Sequence, residues 1–277
     1  MLWNVLSRLE AQTNDPHRPA VGDLLEAKRT VLLPGQFRHR SIMRHDLPME
    51  IIHATGVEGA LHARGLAVVI DVLRSFSVSA YALAGGAREC RLVKTTDEAR
   101  SLVAATPLAV ICVEEEGLPV EGIAISNSPT QIRAVDLTGR VLVQRSSAGT
   151  PVAASVREGV DIFAASLVVA HATAQACLSR RPATLTLIAS ADFPEDHACA
   201  RYIEALVKGE SPDLDRLLQP LRDSERYAHL MSGAWPGFPP TDLELALAPD
   251  RFNFAMPVTR EAGYLSLTRA DDSSTKG

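Results

Sequence analysis

The stretch AVVIDVLRSFS, residues 67–77, joins an apolar run to a cluster of polar residues at one point in the chain. The apolar residues predict a buried strand that ends at Asp71, and Ser75 is predicted to begin a helix that ends at two glycines. Asp71 and Arg74 therefore lie at a strand-to-helix junction, where the side chains of α/β proteins converge on a ligand rather than on the core. The stretch predicts both the fold class and the first residues of a site.

The same succession of strand, turn and helix continues downstream. Further strands are predicted over 89–93, 108–113, 140–144, 160–166 and 184–189, and helices over 96–105, 150–158, 171–179 and 195–208. Strands that alternate with helices are typical of a sheet covered on both faces. We therefore predict an α/β fold, with a largely parallel or mixed sheet layered with helices on both faces.

The pattern divides the chain into three predicted segments. These are an N-terminal arm or extension over 1–64, an α/β region of one or two lobes over 65–260, and a C-terminal tail over 261–277. The first segment carries a basic cluster, made of Arg38, His39, Arg40, Arg44 and His45. A cluster of this kind is more often a solvated face than a binding surface.

Composition narrows the classes of function. The chain has 277 residues, of which 46% are hydrophobic, and a formal net charge of -5, so it can bury a core but has no basic field for nucleic acid or an anionic membrane. Its four cysteines form no CxxC pair, which argues against a zinc cluster and favours a reducing compartment. Without a signal peptide or a long apolar run, we expect a cytoplasmic protein that binds neither nucleic acid nor membrane. Homo-oligomer formation stays open.

Two further junctions carry polar residues directly after an apolar run. Glu114 follows Ile111, Cys112 and Val113, and is either part of a solvated acidic turn or a ligand for a hard cation such as Mg²⁺. Ser128 precedes Pro129, and a serine cap before a proline at the first helical position explains that serine structurally. Asn127 is then left at a helix start, where amide donors favour phosphate or sulfonate.

The segment QRSSAGTP, residues 144–151, predicts an anion cradle. Two hydroxyl residues and Gly149 precede a Thr-Pro helix start, so several backbone donors are expected to face one anion. Arg145 lies beside them and is a candidate cation for the ligand. The segment lacks the spacing and the lysine of a Walker loop, and the chain has no DxDx[TV] motif of the haloacid dehalogenase phosphatases.

The turn SADFPEDH, residues 190–197, follows the apolar strand TLTLIA. Asp192 and Glu195 have the spacing of a capping box, which explains both without a function. Asp196 is not needed for such a cap, and a carboxylate pair at this junction is a candidate metal site.

Five segments, in order, resemble motifs of the 2-phosphosulfolactate phosphatase family. That family is expected to show a DVLR run, a Gly-Glu-Arg turn, a Gly-Asn-Ser-Pro segment, a Thr-Thr-Asn-Gly-Thr segment and a Glu-Asp-x-x-Cys-Ala helix start. This chain has DVLR at 71–74, Glu114, NSP at 127–129, SSAGT at 146–150 and EDHACA at 195–200. The resemblance covers about residues 65–260, and its last part is the segment ALAPDRFNFAMPV.

The resemblance implies a magnesium-dependent phosphoric monoester hydrolase that converts 2-phosphosulfolactate to sulfolactate and phosphate. The implied catalytic residues are Asp71, Arg74, Glu114 and Asp196. The implied Mg²⁺ ligands are Asp71, Glu114, Glu195 and Asp196. The implied substrate-binding residues are Asn127, Ser128, Arg145, Ser146, Ser147, Gly149 and Thr150.

The chain departs from the family pattern at several positions. Glu115 stands where an arginine is usual, Ala124 where an aspartate is usual, and Ala148 where an asparagine is usual. These changes should alter the binding of a multiply anionic substrate. The alternative function is therefore a catalytically inactive homologue that binds a small anionic metabolite, and a hydrolase of another small phosphorylated acid is also open.

Overall fold

The computed structural model describes residues 49–271, and all structural statements below concern that part of the chain. Its strands are β1 (Glu50–Thr55), β2 (Leu66–Ile70), β3 (Glu89–Val93), β4 (Ala109–Glu115), β5 (Leu118–Pro119), β6 (Val141–Arg145), β7 (Asp161–Ala165), β8 (Thr184–Ala189), β9 (Phe254–Glu261), β10 (Tyr264–Leu267) and β11 (Ala270–Asp271). Its helices are α1 (Gly56–Leu61), α2 (Ser75–Ala84), α3 (Thr96–Ala105), α4 (Pro129–Ile132), α5 (Gly149–Ser155), α6 (Ala170–Arg180), α7 (Pro194–Val207), α8 (Leu214–Arg222), α9 (Glu225–Met231) and α10 (Thr241–Ala246).

Helices cover both faces of the sheet, as the apolar run of β2 predicts. Leu66, Val68 and Ile70 pack into one core with residues of α6, α7 and α8. The alternate residues Ala67 and Val69 pack into a second core with residues of α1, α2 and α5. Because successive side chains of a strand point to opposite faces, a strand buried on both faces must be continuously apolar. The predicted α/β class with layered helices is confirmed.

The sheet contains two blocks of parallel strands that run in opposite directions. The strand order is β1-β8-β2-β7-β9-β10-β3-β6-β4-β5, with β11 paired to β9. β1, β8, β2 and β7 are mutually parallel, and so are β3, β6 and β4. Between the blocks, the β9–β10 hairpin makes only antiparallel pairs, with β7, with β3 and internally. Three antiparallel steps reverse the strand direction, so the sheet is mixed.

Helix α2 brings the ends of the two blocks together. Ser75 Oγ donates to Ser146 Oγ at 3.0 Å, and Ser79 Oγ donates to the Gln144 side chain at 2.6 Å. Five strand steps separate β2 from β6 along the sheet. Each step rotates a strand by about 20–25° relative to its neighbour, so β6 is turned far from the direction of β2 by the fifth step. The carboxyl ends of β2 and β6 can therefore lie close together although the two strands belong to blocks of opposite direction. The ends of β2 and β6 therefore meet by twist and by α2, and not because all strands are parallel.

The α/β region extends beyond its predicted limits of 65 and 260. β1 pairs with β8 along its full length, although its residues fall in the predicted N-terminal extension. β10 pairs with β3 inside the predicted C-terminal tail. Both strands gain their pairing from residues far away in the chain, which a local pattern does not reveal. The basic cluster at 38–45 lies outside the described residues, and the three-part division stays a prediction.

Of the two helix caps predicted near the site, the structure has one and lacks the other. Ser128 caps α4 by accepting a hydrogen bond from the Gln131 N–H at 3.3 Å, as predicted. The predicted capping box at Asp192 and Glu195 is wrong, because α7 begins after Phe193 and has no side-chain cap.

All four cysteines are free and buried. No helix within residues 49–271 combines the length and the apolar character needed to cross a membrane.

Candidate active site

One cleft of about 260 Å³ collects polar residues from both blocks of the sheet. Its lining consists of Asp71, Leu73, Arg74, Glu114, Glu116, Gly117, Asn127, Ser146, Ser147, Ala148, Phe193, Arg226 and Trp235. Asp71 follows β2, Glu114 lies in β4, and Ser146 follows β6. Residues more than seventy positions apart are therefore brought to one wall.

Asp71 is buried at the base of this cleft. Its Oδ1 accepts a hydrogen bond from the Ser75 N–H at 3.0 Å, at the start of α2. Burial raises the pKa of Asp71 to about 6, and the nearby charge of Glu114 adds to the shift, while hydrogen bonds from Ser75, Ser190 and Gly149 oppose it. Asp71 thus lies in a region of uncompensated negative charge.

Glu114 is held by the loop of residues 146–150. The Ser147 N–H donates to Glu114 Oε1, and Ser147 Oγ donates to Oε2 at 3.0 Å. Arg145 Nη1 donates to the Glu114 carbonyl oxygen and, at 2.8 Å, to Ser147 Oγ. These bonds fix the carboxylate of Glu114 toward the cleft.

The same loop contacts Asp71 through Gly149. A Cβ atom placed on Gly149 would lie 2.7 Å from Asp71 Oδ2 and 3.1 Å from Ser75 Oγ. The backbone of Gly149 is not left-handed, so the glycine is required by close approach rather than by conformation.

Part of the 146–150 loop is used inside the protein. The Ser147 N–H donates to Glu114 Oε1, and the Thr150 N–H donates to Ser146 Oγ at 3.1 Å. The loop therefore orients Glu114 and lies against Asp71 through Gly149. That its other backbone donors face one anion stays a prediction.

Arg74 presents a guanidinium on the same side as Asp71. Its Nη1 donates to the Gly237 carbonyl at 2.6 Å and to Asp242 Oδ2 at 2.9 Å, and its guanidinium lies 4.4 Å from the centre of the Phe238 ring. Nε and Nη2 make no hydrogen bond within residues 49–271. Arg74 lines the cleft, so a charged donor of this kind is available to an anionic ligand there.

Asn127 offers an amide to the cleft in a fixed orientation. Gln144 Nε2 donates to Asn127 Oδ1 at 2.7 Å and to the Ser75 carbonyl at 2.9 Å, and Gln144 Oε1 accepts from Ser79. Oδ1 of Asn127 is thus occupied, which leaves its Nδ2 as the donor of a residue that lines the cleft. Asn127 has a φ of 56°, a left-handed conformation that asparagine tolerates better than most residues.

Asp196 lies behind the cleft wall, where it supports Asp71. Its Oδ1 accepts from the Val72 N–H at 2.8 Å and its Oδ2 from Ser190 Oγ at 2.9 Å. Burial raises the pKa of Asp196, and the charges of Asp71 and Glu195 raise it further. Glu195 is buried beside it and accepts from Arg226 through Oε1, while Oε2 has no hydrogen-bond partner.

The donor set fits a magnesium ion held by few protein ligands. Within residues 49–271, no three His, Cys, Asp or Glu side chains come together as a metal-binding group, so the four predicted carboxylate ligands do not form one cage. Mg²⁺ usually takes one or two carboxylates, with waters and phosphate oxygens completing its shell. Asp71 and Glu114, whose like charges raise the pKa of Asp71, provide such a pair.

Six of the predicted site residues line the cleft, and the others lie behind it. The six are Asp71, Arg74, Glu114, Asn127, Ser146 and Ser147. Ser128 and Thr150 are buried in caps and hydroxyl contacts with Asp242 and Ser146. Arg145, Gly149, Glu195 and Asp196 contact residues that line the cleft or its wall.

Sequence reasoning missed several residues of the site. Gln144 was assigned only to a strand, and Arg226, Trp235 and Asp242 lie in a region with no predicted element. Trp235 Nε1 donates to the Gly117 carbonyl at 3.1 Å, which closes one side of the cleft. Of these residues, only Gln144 could be suspected from the sequence. It is an amide in a predicted strand of aliphatic residues, and a buried amide needs hydrogen-bond partners.

Comparisons with known proteins give a single family. The family model described as 2-phosphosulpholactate phosphatase matches residues 53–233, more than half of the chain. A protein of Bacillus subtilis named "Probable 2-phosphosulfolactate phosphatase" is 32% identical over 164 residues, 58% of this chain and 72% of the relative. Proteins with the same name from Synechococcus sp. (strain RCC307) and Deinococcus radiodurans are 27% and 32% identical, over 65% and 43% of this chain and 76% and 50% of their own lengths. The resemblance drawn from the five motifs is confirmed.

Proposed function

Since the chain belongs to the 2-phosphosulfolactate phosphatase family, we propose that it hydrolyses 2-phosphosulfolactate to sulfolactate and phosphate with the help of Mg²⁺. The substrate is a small acid that carries a phosphate, a carboxylate and a sulfonate. The substrate class follows from the names of the relatives, and the cleft provides a chemistry that suits it.

The observation that carries the proposal is the arrangement of charge across the cleft. The 146–150 loop donates to Glu114 through the Ser147 N–H and lies against Asp71 at Gly149. The free donors of Arg74 and Asn127 line the same cleft. Two carboxylates can hold a cation, and a guanidinium and an amide can donate hydrogen bonds to phosphate oxygens. Together these groups can bind a phosphate ester.

Each group has a defined task in this proposal. Asp71 and Glu114 would hold Mg²⁺, which when bound supplies positive charge to the phosphoryl oxygens. Arg74 and Asn127 donate hydrogen bonds to phosphate oxygens and stabilise charge that develops as the ester P–O bond breaks. Gln144 and Asp242 hold these two donors in place, and Ser190 and Asp196 support Asp71.

Phosphate release from 2-phosphosulfolactate tests the proposal. Purified protein stripped with EDTA should release little phosphate, and added Mg²⁺ should restore turnover. Asp71→Asn should weaken Mg²⁺ binding and lower kcat, while Asp161→Asn, at an exposed ion pair with Arg180, should leave both unchanged. Turnover that is equal in EDTA and in Mg²⁺ would remove the metal from the proposal.

The alternative of an inactive binding protein rests on one cleft residue. Ala148 lines the cleft, whereas Ala124 is exposed outside the cleft lining and the Glu115 carboxylate accepts from Thr96 Oγ1 outside it. Binding of phosphosulfolactate in a thermal-shift assay without phosphate release would favour this alternative. Turnover of a different phosphate ester would keep the hydrolase and change the substrate.

A further inference from the structure

We propose that Arg226 is a specificity-determining residue that binds the sulfonate of the substrate. The inference rests on the proposed function and assigns a partner to the sulfonate, one of the two anionic groups, with the substrate carboxylate, that neither the Asp71–Glu114 pair nor Arg74 accounts for. It is carried by the position, the hydrogen bonds and the exposure of the Arg226 side chain.

Arg226 stands in the first turn of α9 and lines the cleft. Its guanidinium lies over the ring of Phe193, 4.1 Å from the ring centre. Nη1 donates to Oε1 of the buried Glu195. The other donors of this guanidinium make no hydrogen bond within the described part of the chain. Phe193 and Glu195 therefore fix the plane of the guanidinium and leave one edge available.

The pairing with Glu195 is one-sided. A guanidinium and a carboxylate usually pair through two parallel hydrogen bonds. Here Glu195 Oε2 is buried and has no partner, so the second bond is not made. The contact thus holds Arg226 at the cleft wall without using the donors that a bidentate pair would use.

The two arginines of the cleft differ in depth. The Arg74 side chain is 4% exposed and is tied to Asp242, whereas the Arg226 side chain is 27% exposed. The other charged residues of the lining are Asp71, Glu114 and Glu116, which repel an anion. Arg226 is therefore the one favourable position in this lining for an anionic group other than the phosphate, either the substrate carboxylate or the sulfonate.

The surroundings of Arg226 favour a sulfonate. Phe193 and Trp235 form the apolar part of this side of the cleft. A guanidinium is less strongly hydrated than an ammonium and tolerates contact with an aromatic face. A sulfonate spreads its charge over three oxygens, so it loses less on leaving water than a carboxylate does and can accept two parallel N–H bonds.

The test compares two esters that differ in the sulfonate. Arg226→Ala and Arg226→Lys are assayed with 2-phosphosulfolactate and with 2-phospholactate, which lacks only the sulfonate. The loss of a charged hydrogen-bonding partner should lower kcat/KM for 2-phosphosulfolactate about 10- to 100-fold, with 2-phospholactate changed by less than about threefold. Arg226→Lys keeps a charge opposite Glu195, so it guards against loss of folding and should show a smaller loss of discrimination. Arg222→Ala, at an exposed pair with Asp215, is the control and should behave as the wild type.

Equal losses for the two esters, or no loss for either, would overturn the role of Arg226. Failure of the proposed function gives a different result, since the wild type would then hydrolyse neither ester. In that case, sulfolactate binding by calorimetry decides: binding that is weakened in Arg226→Ala supports the sulfonate site in a protein without turnover. Absence of sulfolactate binding in the wild type overturns both.

Discussion

At the scale of single residues, Asp71 is buried with too little positive charge around it. Its pKa of about 6 lies above the value of an aspartate in an unfolded chain, about 3.9. The folded protein therefore holds more protons than the unfolded chain between about pH 4 and pH 6. In metal-free protein, the contribution of Asp71 to the unfolding free energy is greatest below pH 4 and is lost as the pH rises through about 6.

Asp71→Asn removes this dependence. The asparagine keeps an oxygen for the Ser75 N–H but carries no charge. In EDTA, the mutant should become more stable relative to the wild type as the pH rises from about 4 to 7, by roughly 2–3 kcal/mol. Urea unfolding at both pH values measures the difference. If the difference in unfolding free energy between the two proteins stayed constant across this pH range, folding would not raise the pKa of Asp71.

Gln144 tests whether the orientation of one amide matters. Gln144→Glu keeps the size of the side chain but replaces the donor to Asn127 Oδ1 by a carboxylate oxygen. Asn127 should rotate its amide and present Oδ1 to the phosphate, and kcat/KM should fall about 10- to 100-fold. Gln175→Glu on α6 is the control for an added charge. If both variants keep full activity, the Asn127 amide does not bind the substrate.

At the scale of elements, the 146–150 loop connects the two carboxylates of the site. Gly149→Ala adds a Cβ atom 2.7 Å from Asp71 Oδ2, so either the loop or Asp71 must move. We expect Mg²⁺ affinity and kcat each to fall by more than tenfold, because the loop contacts both carboxylates. A tenfold loss corresponds to about 1.4 kcal/mol of binding or activation free energy.

Gly85→Ala is the matched control for this prediction. Gly85 also has a negative φ, ends α2 and lies away from the cleft. Circular dichroism should show both variants folded. Unchanged Mg²⁺ binding by isothermal titration in Gly149→Ala would separate the loop from the metal site.

Local pattern was sufficient for most strands and helices from β2 to α7, but not for β1, α1 or β5. The apolar run of β2 and the capping residues of α3 are properties of adjacent residues, and their predicted bounds agree with the structure to within a few residues. The direction of the β3 block is not local, since it depends on the insertion of β9 and β10 from the far end of the chain. A uniformly parallel sheet would also bring Asp71 and Ser146 to one edge, but the sheet is mixed, so that explanation does not apply here.

The site was predictable where a polar residue follows an apolar strand. Asp71 and Glu114 are of this kind, and both line the cleft. Asn127 lines the cleft as well, but it lies just before α4 with no strand directly ahead of it. Arg226 does not, because its partner Glu195 lies 31 positions away and its own helix is short and polar. Residues recruited by tertiary packing carry no mark in the sequence around them.

At the scale of the whole molecule, Asp242 joins the C-terminal helix α10 to the starts of α2 and α4. Its carboxylate accepts from Arg74 Nη1, from Ser128 Oγ at 2.7 Å and from the Thr130 N–H at 3.0 Å. Asp242→Ala leaves the buried Arg74 without a counter-charge and should lower the unfolding free energy by about 3–5 kcal/mol. Asp215→Ala, at an exposed pair, should cost no more than about 1 kcal/mol. Comparable losses in urea unfolding would show that the buried pair carries no special weight.

The hairpin of β9 and β10 occupies the middle of the sheet although it lies near the end of the described chain. On a ribosome, the strands on either side of it emerge first, and they have no partner along one edge until residues 254–267 leave the exit tunnel. Once β8 is made, the nascent chain therefore holds two open half-sheets, each with an unpaired apolar strand, until β9 emerges. Asp71 and Glu114 are already made by then, yet the sheet is completed only when β9 and β10 are inserted between the halves.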